Sequence, residues 1–315
     1  ASLEALNVSC SALMKLYGGL GGSTECSIAN SLWTDPEGRM QEDFVGRCSG
    51  IFDAQVFQED LSAPVIVPAL NSWVSDHTAG MIPQIIQRPF GEDAAALMVN
   101  ALYLKNTWAA KFDPSDTITR DFTRADGTAE PLDFLQHFSR SLTYLQSGSD
   151  EGVLLPYDDG RLAFFALMPR QSSGVPDFER WLSSLTGEGL SALLSGRDET
   201  FFLRLSLPKF EQEWSGELKD ALAALGLTDA FDPDLADFSL LGDDPRGYYL
   251  SQVIHAARIE VNEEGTEAAA ATVVAAASGA APPQEGVTLI FDRPFLYGIV
   301  DLQNGVPLFL GTFEG

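Results

Sequence analysis

Residues 261–274 read VNEEGTEAAAATVV, and this stretch constrains the fold more than any other. Taken with period two from Thr266, the alternate side chains are Thr266, Ala268, Ala270, Thr272, Val274 and Ala276. All are small or apolar and none is charged, so the segment can enter a sheet with that face buried. Its opening, Glu263-Glu264-Gly265, has the composition of a surface turn. Alanine is also the best helix former, and composition alone favours a helix or a flexible linker over 263–281. A loop composed as a spare buried strand instead implies a protein with a second, better-paired conformation.

With 315 residues, 45% of them hydrophobic, the chain can bury a large core in one big domain or two. The formal charge of −26 would repel phosphate backbones, which argues against nucleic acid and anionic membrane as partners. No uncharged apolar run reaches the ~18 residues of a membrane span. The N-terminus, ASLEALNVSC, has no basic region leading into an apolar core, so no signal peptide is visible; one removed earlier would leave no trace. Cys10, Cys26 and Cys48 lie far apart without a Cys-x-x-Cys pair, consistent with free thiols or one incidental bridge. His77, His137 and His255 occur without a His-Glu-x-x-His, Gly-x-Ser-x-Gly or phosphate-loop motif. An enzyme is therefore not expected, and neither a metal nor another cofactor is implied.

Residues 1–16 read as a helix that ends in the Gly18–Gly22 loop, and CSIANSLWTD after it alternates like a strand. Helices are expected over 37–50, Pro68–Thr78 and Gly216–Leu225, the last closed by Gly226. Strands are expected at 52–57, Ala95–Lys105, Phe164–Met168, Phe201–Pro208, Tyr248–Val261, Leu289–Ile290, Phe295–Asp301 and Leu308–Phe313. Early helices, a large mixed sheet and closing strands make an α+β fold. No linker divides the chain, so one domain is expected over 1–315.

Several motifs in order carry a family resemblance from about residue 25 onward. Asn100-Ala101-Leu102-Tyr103-Leu104-Lys105 with Trp108 and Phe112 resembles the serpin signature NAxYFKGxWxxxF, with Asn106 where glycine is usual. Leu70–Val74 through Thr78, Gly80 and Ile82 resembles the family helix that lies across the central sheet. Leu207-Pro208-Lys209-Phe210, Arg293-Pro294-Phe295 and Pro307–Gly311 resemble family strands. Glu263-Glu264-Gly265-Thr266-Glu267-Ala268-Ala269-Ala270-Ala271-Thr272 is similar to the reactive-loop hinge of inhibitory serpins.

The resemblance, to inhibitory members of bacterial type, implies a serpin fold with a large central mixed β-sheet, smaller sheets and surrounding helices. The fold is expected to be N-terminally shortened, without the helix that lies under the central sheet. It further implies a suicide-substrate inhibitor of serine proteases, with a reactive loop at about 263–285. The loop is cleaved to an acyl-enzyme, and its hinge then enters the central sheet and traps the protease.

The family spacing, about sixteen residues from Glu263, places the scissile bond at Gly279–Ala280. The loop is about four residues longer than usual, which leaves Ala277–Ser278 and Ala280–Ala281 as alternatives. No Lys or Arg lies between Glu267 and Arg293 and no aromatic before Phe291, which disfavours trypsin-like and chymotrypsin-like S1 pockets. Small residues suit an elastase- or subtilisin-like protease.

Asn100 and His255 resemble residues that hydrogen-bond across the central sheet and control its opening. Lys209 and Glu263 resemble a salt bridge near the top of that sheet, and Trp108 a tryptophan beneath the place where the loop enters. The implied protein is a monomer; its compartment is left open by the sequence, with a secreted or cell-surface location favoured. The rival reading is a non-inhibitory serpin, a carrier or folding factor cleaved as a simple substrate.

Overall fold

The computed structural model describes residues 2–21, 23–139, 142–170, 177–198, 202–243, 247–266 and 286–315. In chain order the elements begin α1 (Leu3–Gly18), β1 (Glu25–Thr34), β2 (Arg39–Met40), α2 (Glu42–Phe52), β3 (Ala54–Gln58), α3 (Ile66–His77) and β4 (Ala96–Thr107). They continue with β5 (Ile118–Thr123), β6 (Ala129–Ser139), β7 (Thr143–Ser147), β8 (Asp150–Pro156), β9 (Leu162–Pro169), α4 (Phe178–Ser184) and α5 (Gly187–Ser195). Then come β10 (Arg197–Asp198), β11 (Phe202–Pro208), β12 (Phe210–Glu217), α6 (Lys219–Ala224) and β13 (Gly242–Asp243). The chain closes with β14 (Leu250–Val261), β15 (Gly265–Thr266), β16 (Gly286–Ile290), β17 (Phe295–Asp301) and β18 (Pro307–Phe313). The α+β expectation holds.

The chain divides into two compact units. One comprises residues 1–21, 25–104 and 211–259; the other comprises 22–24, 105–210 and 260–315. One sheet has the strand order β12-β14-β15-β4-β1-β3, with β14 and β4 also paired directly; most of β14 and β4 lies in the first unit, and β15 lies in the second. Alternation decides their faces. Leu97, Val99 and Ala101 of β4, Ile254 and Ala256 of β14, and Ala29 and Trp33 of β1 share a buried core with Leu70, Trp73 and Val74 of α3. The i, i+3, i+4 spacing of those three helical residues gives α3 one apolar stripe, and that stripe faces the sheet. Thr78 Oγ1 donates to Val74 O (2.8 Å) at the end of α3, and the chain turns at Ala79 (φ 50°) and Gly80 (φ 80°).

The second unit holds two further sheets. One is an antiparallel series β10-β7-β8-β9-β17-β18. Its inner strands β9 and β17 are buried at every residue, which is why they read as unbroken apolar runs. The other sheet, β16-β11-β6-β5, pairs β16 parallel to β11 and the rest antiparallel. Among the described residues, no helix is long and apolar enough to cross a membrane.

Two expectations need correction. The helix expected over 37–50 starts at Glu42, because Arg39 and Met40 pair with Asp243 and Gly242 as a short ladder. The helix expected over Gly216–Leu225 is reduced to Lys219–Ala224. Residues up to Glu217 belong to β12 beside β14, and Leu218 N donates to Val253 O (2.8 Å). Sheet pairing here overrides local helix propensity. The predicted terminator is correct: Gly226 has φ 101°, and Leu227 N bonds back to Leu222 O.

Candidate functional site at the mouth of a sheet

The second unit carries the ends of β14 and β4, and between them lies β15. Gly265 and Thr266 pair antiparallel with Thr107 and Asn106 of β4, while Thr266 also partners Val261 of β14. Asn262 makes the tight turn into β15. Its Oδ1 accepts from Glu264 N (3.0 Å) and Gly265 N (3.3 Å), and its backbone N–H donates to Gly265 O (3.1 Å). Gly265 must be glycine here, since a Cβ would meet Asn106 O at 2.0 Å. Thr266 is fully buried and shares a hydrogen bond with Tyr157 Oη.

Trp108 forms the floor of this turn. Its indole lies flat on Tyr157 (4.9 Å between centroids, 6° between planes), edge-on to Phe112 and Phe164. Trp108 Nε1 donates to Asn262 O (2.8 Å), and its backbone N–H donates to Glu264 O (3.0 Å). The two glutamates are each held by a cation. Lys209 Nζ lies 2.9 Å from Glu263 Oε2, Thr117 Oγ1 donates to Glu263 Oε1 (2.9 Å), and Lys111 pairs with the buried Glu264. Burial raises the Glu263 carboxyl pKa, but hydrogen bonds led by Lys209 outweigh it and hold it below the ordinary value. Burial pushes the Tyr157 hydroxyl pKa upward, leaving it a neutral partner for Thr266.

In the first unit, β14 and β4 pair directly and in parallel, from Leu250↔Ala96 to Ala257↔Leu102. His255 faces Asn100 across this seam, and its Nδ1–H donates to Asn100 Oδ1 (2.8 Å). Asn100 Nδ2 in turn donates to Asn30 Oδ1 on β1 (2.9 Å). Burial pulls the His255 pKa below its usual value, against a smaller opposing effect of Asn100, so the ring is neutral near pH 7.

The structure therefore brings Lys209, Glu263, Glu264, Gly265, Thr266 and Trp108 together in one unit, and Asn100 with His255 in the other. Hinge residues Glu267, Ala268, Ala269, Ala270, Ala271 and Thr272 lie outside the described residues. So do the scissile-bond candidates Ala277, Ser278, Gly279 and Ala280. Sequence reasoning missed Asn262, Tyr157, Lys111 and Thr117. The Asp158-Asp159-Gly160 turn signal after Tyr157 could have flagged that corner. Nothing local marks Lys111 or Thr117, whose partners are distant in sequence. Cys10, Cys26 and Cys48 are free thiols, and among the described residues no group of His, Cys, Asp and Glu could hold a metal. In this arrangement two residues, Gly265 and Thr266, pair as a short strand with the ends of β14 and β4.

Comparison with known proteins agrees with this geometry. A family model described as serpin (serine protease inhibitor) matches residues 2–314. The chain is 32% identical over 300 residues to Serpin-Z2B of Triticum aestivum, covering 92% of this chain and 74% of that protein. It is 33% identical over 316 residues to plasminogen activator inhibitor 1 of Neovison vison, covering 95% and 75%. Against Serpin B10 of Sorex araneus, 31% identical, the match covers 78% of this chain and 61% of that protein. The native state of the thermophilic serpin Tengpin superposes with a TM-score of 0.91 at 28% identity, covering 100% of this chain and 79% of that one. The fold is also that of thyroxine-binding globulin in complex with thyroxine, with a TM-score of 0.86 at 21% identity, covering 99% of this chain and 81% of that one. The chain belongs to the serpin family, whose members are typically inhibitors acting on serine proteases and are in general non-catalytic inhibitors or binders.

Proposed function

We propose that this chain is a suicide-substrate inhibitor of serine proteases with elastase- or subtilisin-like preference for small residues. The protease attacks the loop within 277–281 and forms an acyl-enzyme. The freed hinge then continues between β14 and β4 as a new strand and carries the protease with it, trapping the ester. Asn100 and His255 hold the seam shut until then, and Lys209 and Glu263 brace the turn.

One observation carries the reading: Gly265 and Thr266 already form a strand between the ends of β14 and β4. The segment that follows has the small, uncharged alternation such a slot accepts without overfilling it.

The test mixes the protein with pancreatic elastase and, separately, with subtilisin. The expected product is an SDS-stable complex whose mass is the sum of the two proteins less the C-terminal fragment, from the scissile bond to Gly315, that acylation releases. Clean cleavage of the loop without that band would instead favour a non-inhibitory member of the family.

A further inference from the structure

Asn106 stands beside Thr266 in the β4–β15 ladder, fully buried. Its carboxamide faces residues of two other segments. Nδ2 donates to Asp159 Oδ2 (2.7 Å), and Oδ1 accepts from Ser23 Oγ (3.0 Å) and from Thr107 N (2.9 Å). Asp159 Oδ2 also accepts from the buried Thr24 Oγ1 (2.7 Å), while Asp159 Oδ1 caps Arg161 N and Leu162 N (2.8 Å each). Ser23 Oγ is also bonded to the Asp158 carboxylate, and Asp158 N donates to Thr107 O (2.9 Å). The end of β4 is thus fastened on one side chain to residues 23–24 and to the turn after Tyr157. All of these residues belong to the second unit.

Asn106 does not touch the hinge turn through its side chain in any of these bonds. It holds instead the strand that β15 pairs with. Continuing the observed register would run an inserted strand past Lys105 and Leu104, and that requires β4 and β14 to move from one strand spacing apart to two, ~4.8 Å further. A shift of β4 away from the turn withdraws the carboxamide from Asp159 and leaves buried polar groups without their partner.

We infer that Asn106, with Asp159, Thr24 and Ser23, is a latch that sets the rate at which the mouth widens, and that Asn106 is a positioning residue for loop insertion. This inference rests on the proposed inhibitory function and deepens it. A latch that releases too slowly lets the acyl-enzyme hydrolyse, and one that releases too readily lets the strand enter before a protease arrives.

The test uses an N-acetylated, biotinylated peptide of residues 266–277, incubated with the whole chain. Incorporation is read on native gels and by intrinsic tryptophan fluorescence. Asn106→Ala and Thr24→Val are expected to take up the peptide about tenfold faster, equivalent to ~1.4 kcal/mol off the barrier. Thr24→Ser, which keeps the hydroxyl, is expected to match the parent. Ser23→Ala, at a half-exposed position, removes a bond to the latch with less risk to folding. Urea midpoints of the peptide-free proteins report structural damage separately. Equal rates in the parent, Asn106→Ala, Thr24→Val and Ser23→Ala would overturn the latch and leave the insertion reading standing. Failure of every form, the parent included, to take up peptide would overturn the insertion reading and the latch with it.

Discussion

Thr266 is the residue at which burial and the proposed function meet. It is fully enclosed, its hydroxyl is bonded to Tyr157, and it begins the alternating face. Thr266→Arg would force a long cationic side chain into this enclosed position, and an uncompensated buried charge costs about 3–5 kcal/mol. The hinge would be expelled from the slot. The expected outcome on mixing with elastase is loss of the covalent band and accumulation of loop-cleaved protein; an undiminished band would contradict the assignment. Trp108 gives a second prediction at this scale. Trp108→Ala removes the stack on Tyr157 and leaves a cavity, with an expected loss of about 3–5 kcal/mol in urea unfolding. Trp108→Phe keeps much of the ring but orphans the Asn262 carbonyl, for about 1–3 kcal/mol. Equal losses in the two variants would mean that the indole N–H, not the stacking, dominates.

At the scale of elements, the proposed insertion would have to part the seam between β4 and β14, and that seam contains a titratable group. His255 is neutral in the fold because burial lowers its pKa below 6.5, while in the unfolded chain it titrates near that value. The unfolded state therefore binds more protons below pH 6.5, and stability is lost as the pH falls from there through the folded pKa. His137, edge-on to Phe112, is shifted the same way by burial, against a smaller opposing pull from Asp116, and adds to the slope. Glu263 acts in a separate window, losing its contribution only as the pH falls below about 4.5. Melting temperatures measured from pH 8 to 5 should decline below 6.5, and His255→Gln should flatten part of that decline. An unchanged slope would remove His255 from the seam's control. Elements of this kind were the easiest to read from sequence. Uniform apolar runs gave β9 and β17, and α3 announced its sheet-facing stripe. Strands β5 to β8 were not seen, because half their residues are polar and their pairing is set by partners distant in sequence. At the mouth, the motif residues were visible while Tyr157, Lys111 and Asn262 were not. Their positions follow from the crossing of β4, β14 and the turn after Tyr157, which no local pattern encodes.

For the molecule as a whole, the question is whether the folded chain is its most stable form. Along the seam β4 and β14 already bond to each other, so an inserted strand gains a ladder on each side while replacing one. For a strand of roughly ten residues, with each net hydrogen bond worth ~0.5–1.5 kcal/mol, the gain is on the order of 10 kcal/mol before apolar burial. That rivals the total stability of an ordinary domain, ~5–15 kcal/mol. In the proposed mechanism, cutting the loop relieves the constraint that keeps the strand out. If insertion follows, each kcal/mol is worth roughly 1.5 °C in a chain of 315 residues, so cleavage should raise the melting temperature by about 15 °C. Elastase-cleaved Thr266→Arg is the internal control: in the proposed mechanism it carries the same nick but its hinge is expected to stay out. The expected result is a large rise for the parent and none for the variant. A fall in both would show that cleavage only loosens the molecule and that no stored conformation exists. A rise in both would locate the gain away from the slot that Thr266 opens.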